Sequence, residues 1–273
     1  MTLVPRYPPT QFPAPVTRTR RAGDFLLSET HYPSESVLAP HAHEYACVVV
    51  VLEGSFTEHN ESETRTAEPG TVIVRPPGET HSNRFADDGG RCLNVELSPG
   101  WLGSVPHRSV LSTASRSGSW SLLGRRLHLE MIHDDDISAM AVESLLLEIL
   151  SSLAREERSS SVAPPWLLRA RDRIHDDPAA RVTLAILAAE AGVHPVHFAT
   201  TFRRFFGQPV AATIRQLRVE LACRDLARSE APIADVAIQA GFADQSHLGR
   251  ALKQALRVTP AAYRSASRRN AAP

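Results

Sequence analysis

Lysine is almost missing from this chain: Lys253 is the only one among 30 basic residues. Arginine and lysine both satisfy phosphate, so the skew excludes no charge-based function. Cysteine is scarce as well. Cys47, Cys92 and Cys223 are too few and too scattered for a disulfide framework and fit a reducing cytoplasm. Long apolar runs are lacking. The longest, Ala46 to Leu52, is seven residues, against about 20 for a bilayer-spanning helix, so no membrane partner is expected. The N-terminus has no apolar signal-peptide region. It is rich in proline and arginine instead (Pro5, Pro8, Pro9, Pro13, Pro15, Arg18, Arg20, Arg21), and residues 1–24 read as a flexible arm. Net charge is zero, with 30 basic and 30 acidic residues.

That zero conceals a division. Residues 1–164 hold 14 arginines and 21 acidic residues, whereas residues 165–273 hold 16 basic and 9 acidic ones. The basic portion also carries a repeated pattern. Ile233, Val236, Ala237 and Ala240 form one buried helical stripe, Gly241 leaves the helix, and Asp244 can cap a second helix in which Leu248 and Leu252 face inward. The same pattern stands 49 positions earlier in Leu184, Leu187, Ala188, Ala191, Gly192 and Val193. A helix, a glycine turn and a second helix with polar residues early on its outer face present a recognition helix to a major groove. Two in register, within a basic domain, point to double-stranded DNA. Between them, residues 211–228 read as one helix with Ile214, Leu217, Leu221 and Leu226 inward. It would be about 27 Å long, short of the roughly 34 Å between successive major grooves on one face, so double insertion implies bent DNA.

The run Ile233 to Lys253, the following Val258-Thr259-Pro260-Ala261-Ala262-Tyr263-Arg264, and Phe198, Phe202, Arg203 and Gly207 resemble the AraC/XylS family of bacterial transcription regulators. The resemblance covers roughly residues 165–266. It implies a regulator, not an enzyme, whose partners are operator DNA and RNA polymerase, with activation as the mode expected from the family and repression left open by the sequence. Departures are His194 in place of a serine cap, His247 and Leu248 in place of an aromatic pair, and Arg257 in place of glycine. In the first recognition helix the phenylalanines are core, leaving Val196, His197, Ala199, Thr200, Arg203 and Arg204 for DNA. Val196, Ala199 and Thr200, the groove-facing positions by resemblance, suit thymine methyl groups. The second helix offers Gln245, Ser246, His247, Arg250 and Lys253, with Arg250 suited to guanine and Arg203 and Lys253 to the backbone.

The first half reads as β-structure from about residue 25 to 102. Ala46 to Leu52 predicts a buried strand turned by Gly54, Thr71 to Val74 another, and Cys92 to Leu97 a half-buried one. His41-Ala42-His43, Cys47 and Gly54, followed by Gly70, Pro76-Pro77-Gly78 and His81, resemble the two motifs of the cupin superfamily, with Glu35 and Phe85 departing from it. Residues two apart share a strand face, so His41, His43 and Cys47 are expected to converge, with His81 completing a set suited to Zn²⁺ or another divalent transition metal. The alternative is that the histidines line a pocket for an organic effector.

Beyond the β-region, 103–157 predicts helices. The stripe Leu145, Leu146, Ile149 and Leu153 exceeds what one helix on a small barrel needs, so this segment is read as a homodimerisation surface. Residues 158–165 form a polar, proline-ended linker, and 166–266 the DNA-binding domain. The fold expected is α+β with two domains, a cupin-like β-barrel sensor with its helical segment ahead of an all-α tandem helix-turn-helix domain. The rival function is a metal-dependent cupin enzyme fused to a DNA-binding module.

Overall fold

The computed structural model describes residues 4–61, 63–105, 113–115, 118–133, 135, 137–158 and 163–269. The chain divides into two compact units, residues 1–157 and 158–273.

The first unit is built on two long antiparallel strands, β5 (Ala46–Asn60) and β8 (His81–Leu97). The other edge of β8 carries β3 (Phe25–Tyr32) along one half and β4 (Val37–His43) along the other. The other edge of β5 likewise carries β7 (Val72–Arg75) and then β6 (Thr64–Ala67). Three short strands lie outermost: β1 (Arg6–Tyr7) on β4, β2 (Val16–Ala22) on β3, and β9 (Thr113–Ser115) on β7. Both long strands bend at one crease. Register slips between Val51 and Glu53 and between Gly54 and Phe56, and Gly54 and Gly89 both take left-handed backbone angles (φ 69° and 65°). A Cβ on Gly54 would collide with the carbonyl of Gly89, so only glycine lets the strands approach this closely. Gly54, expected to end a strand, instead sits inside one.

Alternation then sorts the side chains. Val48, Val50, Val72, Val74, Leu93, Val95 and Leu97 face one side, where α1 (Pro99–Ser104), α2 (Gly118–His133) and α3 (Ser138–Arg158) cover them with Trp101, Trp120, Leu127, Met131, Leu146 and Ile149. Cys47, Val49, Val51, Phe56, Ile73, Phe85 and Cys92 form a separate core on the opposite, concave side. They are buried there because the sheet curls upon itself.

Two expectations change here. Residues 1–24 are not a flexible arm over the described part: β1 pairs parallel with β4 (Tyr7 opposite His43), and β2 pairs antiparallel with β3. Backbone hydrogen bonding overrides the proline-rich composition. The stripe assigned to dimerisation is also spoken for, because Leu145, Leu146 and Ile149 are buried against their own sheet. The side chain of Leu153 lies outside the described residues. Among the described residues, the large apolar side chains that α3 leaves exposed are Met140 and Leu147, seven positions apart, with Ile137 ahead of the helix.

The second unit is all helix: α4 (Pro165–Asp176), α5 (Leu184–Glu190), α6 (Pro195–Phe206), α7 (Val210–Arg228), α8 (Ile233–Gln239), α9 (Gln245–Leu256) and α10 (Pro260–Arg269). Thr183 caps α5 by accepting from the Ile186 N–H, and Asp244 caps α9 by accepting from His247 N–H at 2.7 Å. His194 replaces a serine cap with its ring, Nδ1 accepting from Val196 N–H at 3.3 Å. Arg257 ends α9 in the left-handed region (φ 62°), where Gly207 ends α6. That conformation costs a non-glycine residue about 1–2 kcal/mol, which this short unit carries at an exposed C-terminus. Among the described residues no helix is long and apolar enough to cross a membrane.

Candidate functional site

The residues expected to face DNA are positioned by the caps and cores just described. Phe198 and Phe202 lock α6 to the first core and Leu248, Ala251 and Leu252 seat α9, turning the remaining faces outward. Val196, His197, Thr200, Arg203 and Arg204 of α6 are exposed and Ala199 is half-buried. Val196, at 67 % exposure, is a large apolar side chain held in water. On α9, Gln245, Ser246, Arg250 and Lys253 are exposed. His247 differs. It is half-buried with its ring edge-on to Phe242 at 5.2 Å, so it props the turn more than it reaches outward. His197 likewise leans toward Trp166, with ring centroids 6.0 Å apart.

The second candidate site lies inside the curled sheet. His41 pairs directly with His81 across β4 and β8, and His43 joins them. Ring centroids are 4.3 Å (His41–His81), 5.3 Å (His41–His43) and 5.6 Å (His43–His81) apart. One ring nitrogen from each lies within 4.8 Å of the others. His41 Nδ1 sits 2.8 Å from the Ala39 carbonyl and His81 Nδ1 3.2 Å from that of Glu79, contacts that place the ring proton on Nδ1 and leave Nε2 with its lone pair. Burial, then the nearby Arg75 cation, lowers His43 to about 3 and His81 to about 2. His41 is also lowered, first by burial. All three are neutral imidazoles at ordinary pH.

Cys47 is not part of this cluster. Its side chain faces the same concave interior, but past the bend at Glu44 and Tyr45 it belongs to β5 and is not among the ligand atoms that gather within 4.8 Å of one another. Cys47 lies between Glu96 and Arg75 on the flanking strands. Burial pushes its thiol well above the ordinary range, which makes it an inert apolar side chain.

Polar residues that carry no motif complete the interior. Glu58, fully buried, forms ion pairs with Arg75 and Arg65 and accepts from Asn83 Nδ2 at 3.1 Å. Burial raises its carboxyl, but Arg75 and Arg65 outweigh that and hold it at about 2. Glu96 accepts from the Thr10 N–H at 2.8 Å through Oε2, while its Oε1 is buried with no hydrogen-bond partner. Burial raises Glu96 to about 7. Ser28 Oγ, Arg75 Nε and His43 Nδ1 are likewise buried and unpartnered. Such groups are costly to leave unmet inside a protein, and this interior holds several. The N-terminal segment closes over it, with Tyr7 5.7 Å from the His41 ring and Phe12 5.4 Å from that of His43. Alternation offered one signal, since Arg75 is a charged residue at an inward position beside Ile73.

Known proteins match both units. The AraC-like ligand binding domain family matches residues 22–150, and the helix-turn-helix domain family matches residues 187–266. The chain belongs to the AraC family of transcription regulators. A putative AraC-like transcription regulator of Streptomyces antibioticus is 26 % identical over 236 residues, spanning 80 % of this chain and 77 % of that protein. The MmsAB operon regulatory protein of Pseudomonas aeruginosa is 27 % identical over 267 residues, spanning 93 % and 82 %. Among solved structures, the DNA-binding domain of AdpA in complex with a target DNA is 27 % identical and covers 38 % of this chain and 93 % of that one, with a TM-score of 0.37. The regulator therefore binds DNA through its helical unit and carries a ligand-binding unit, and the reading as a cupin enzyme gives way.

The interior of the sensor unit sets its response to acid. Between pH 6.5 and 4.5, His43 and His81 stay neutral when folded but take up protons when unfolded, so stability falls with pH. Glu96 acts oppositely, because its folded pKa is raised and it gains stability as pH falls from 7 to 4.5. Two groups against one leave a net loss on the order of 1 kcal/mol per pH unit. Below 4.5 the decline steepens as protonation removes the Glu58 contribution. Urea unfolding of chelator-treated protein followed by tryptophan fluorescence at pH 7.5, 6 and 5 should show this fall, and Glu96→Gln should steepen it. Constant or rising stability over that range would contradict the assigned ionisation states.

Proposed function

We propose that the regulator reads its operator with α6 and α9, pairs as a homodimer through the exposed face of α3, acts on RNA polymerase as an activator, and is switched by a guest held inside the curled sheet. The observation that carries the DNA reading is the outer face of α9, where Gln245, Ser246, Arg250 and Lys253 stand free beyond the Asp244 cap. Arg250 has the fork geometry for guanine O6 and N7, and Gln245 or Ser246 an adjacent base or phosphate. Val196, Ala199 and Thr200 of α6 suit thymine methyl groups, with His197 at the margin, and Arg203, Arg204 and Lys253 neutralise phosphates. His247 serves the turn.

The three-histidine cluster supports a divalent transition metal, Zn²⁺ above others, as guest or cofactor. Neutral imidazoles with free lone pairs suit it, and Arg75, a nearby cation, is paired with Glu58. The unpartnered Glu96 Oε1 and Ser28 Oγ support an organic effector that carries hydrogen-bonding groups. Homodimerisation is supported by Met140 and Leu147, which are exposed on one helical face at a seven-residue interval.

Arg250→Ala should weaken binding to a selected operator by about 1–3 kcal/mol while sparing most nonspecific affinity. Competition with random duplex measures this, and unchanged base preference would remove α9 from the reading. Elemental analysis of the purified chain should find a transition metal that His81→Ala loses. Absence of metal, with no effect of added Zn²⁺ on operator binding, would leave the organic effector alone. Met140→Glu combined with Leu147→Glu should give a folded monomer by sedimentation, and a persistent dimer would put the interface elsewhere.

A further inference from the structure

The helix α7 carries two hydrophobic cores end to end. Val210, Ile214 and Leu217 belong to the core of the first helix-turn-helix, with Leu187, Ala188, Phe198 and Phe202. Val219, Ala222, Cys223 and Leu226 are buried further along, where α7 packs on α8, α9 and α10. Arg218 falls at the junction. Its guanidinium donates to three backbone carbonyls: Nε to Pro178 at 2.8 Å, Nη2 to Ala180 at 2.9 Å and Nη1 to Gly241 at 2.7 Å. Pro178 and Ala180 lie in the loop that leads into the first helix-turn-helix. Gly241 is the turn of the second.

The same place shows a second, independent contact. A Cβ on Gly241 (φ 81°) would stand 2.8 Å from the Ala179 Cα and 2.9 Å from Arg218 Nε. The turn and the loop therefore meet backbone to backbone. The matching glycine of the first unit, Gly192, is also left-handed (φ 67°), but a Cβ there would meet nothing within 4 Å. The close approach belongs to the second turn alone.

We propose that Arg218 is a positioning residue for DNA reading, clamping the turn of the second helix-turn-helix to the loop ahead of the first and so fixing the spacing and angle between the two recognition helices. A single helix is stiff, but it does not by itself fix how each unit docks on it. A swing of about 10° over a lever of about 28 Å moves the far helix about 5 Å, more than one base step of about 3.4 Å. A guanidinium suits this task because its planar fork carries five donors, enough to hold three carbonyls at once, whereas an ammonium is a point charge without fixed directions. With its donors engaged on backbone, Arg218 is a brace and not a phosphate contact.

The test uses the full chain and a duplex that the wild type selects from a random-sequence pool. Binding is compared on the intact duplex, on one with a single half-site scrambled, and on one with a base pair inserted between halves. Arg218→Met, which keeps the apolar stem, should weaken the intact duplex about tenfold, yet stay within about twofold of wild type on the scrambled one, because preorganisation matters only when both helices insert. It should also pay a smaller penalty for the inserted base pair. Arg218→Lys should follow Met despite its charge, and serves where the Met variant folds poorly. Equal losses on intact and scrambled duplexes, wild-type affinity for the Lys variant, or an unchanged insertion penalty would each overturn the proposal.

Discussion

The crease at Gly54 and Gly89 is what the sensor unit depends on. In a flat ladder, Glu58 would lie about 36 Å along β5 from Cys47, at roughly 3.3 Å per residue. Arg75 is the cross-strand partner of Cys47, yet it forms an ion pair with Glu58. Only a strand folded back on itself allows both. The bend turns one face of a long hairpin into an interior and brings into one place charges the ladder would hold apart. Both glycines take backbone angles an L side chain rarely adopts, so the fold of a fifteen-residue and a seventeen-residue strand rests on a contact without side chains.

Much of the helical unit was legible because its determinants are local. The stripe of Val236, Ala237 and Ala240, the Asp244 cap and the inward Leu248 and Leu252 lie within one short stretch, and each takes its expected place. The sensor was legible in its strands and less so in its site. His41, His43 and His81 converge as their spacing suggests. Cys47 keeps the inward face but does not join them, because the bend at Glu44 and Tyr45 carries the chain onto another strand, and a shared face does not fix distance. Glu58 and Glu96 carried no motif at all. Their significance comes from long-range pairing that no window along the sequence can show. The α3 stripe failed differently: its periodicity was read correctly, but it says that a face is buried and not what buries it.

The two recognition helices have unlike chemistry on similar scaffolds. The early face of α6 is small and apolar, while α9 opens with polar residues and ends in Arg250 and Lys253. Shape and methyl contacts tolerate sequence variation better than bidentate hydrogen bonds do, so the proposed reading assigns the two half-sites unequal shares of specificity. A His cap and an Arg at a left-handed terminus show that the scaffold keeps its geometry when the usual residues are replaced.

The N-terminal residues lie outside the stretch that matches the ligand-binding family, which begins at residue 22. A shortened protein cut at that boundary would still contain every histidine of the cluster. It would lack Tyr7 and Phe12, whose rings cover the cluster, and the Thr10 amide that holds Glu96. The edge of β4 would be bare, ready to pair with a stray strand. A polyhistidine purification tag fused ahead of residue 1 would place foreign imidazoles a few residues from Tyr7, whose ring packs on the native cluster. For this chain the choice of which end to tag is a chemical decision.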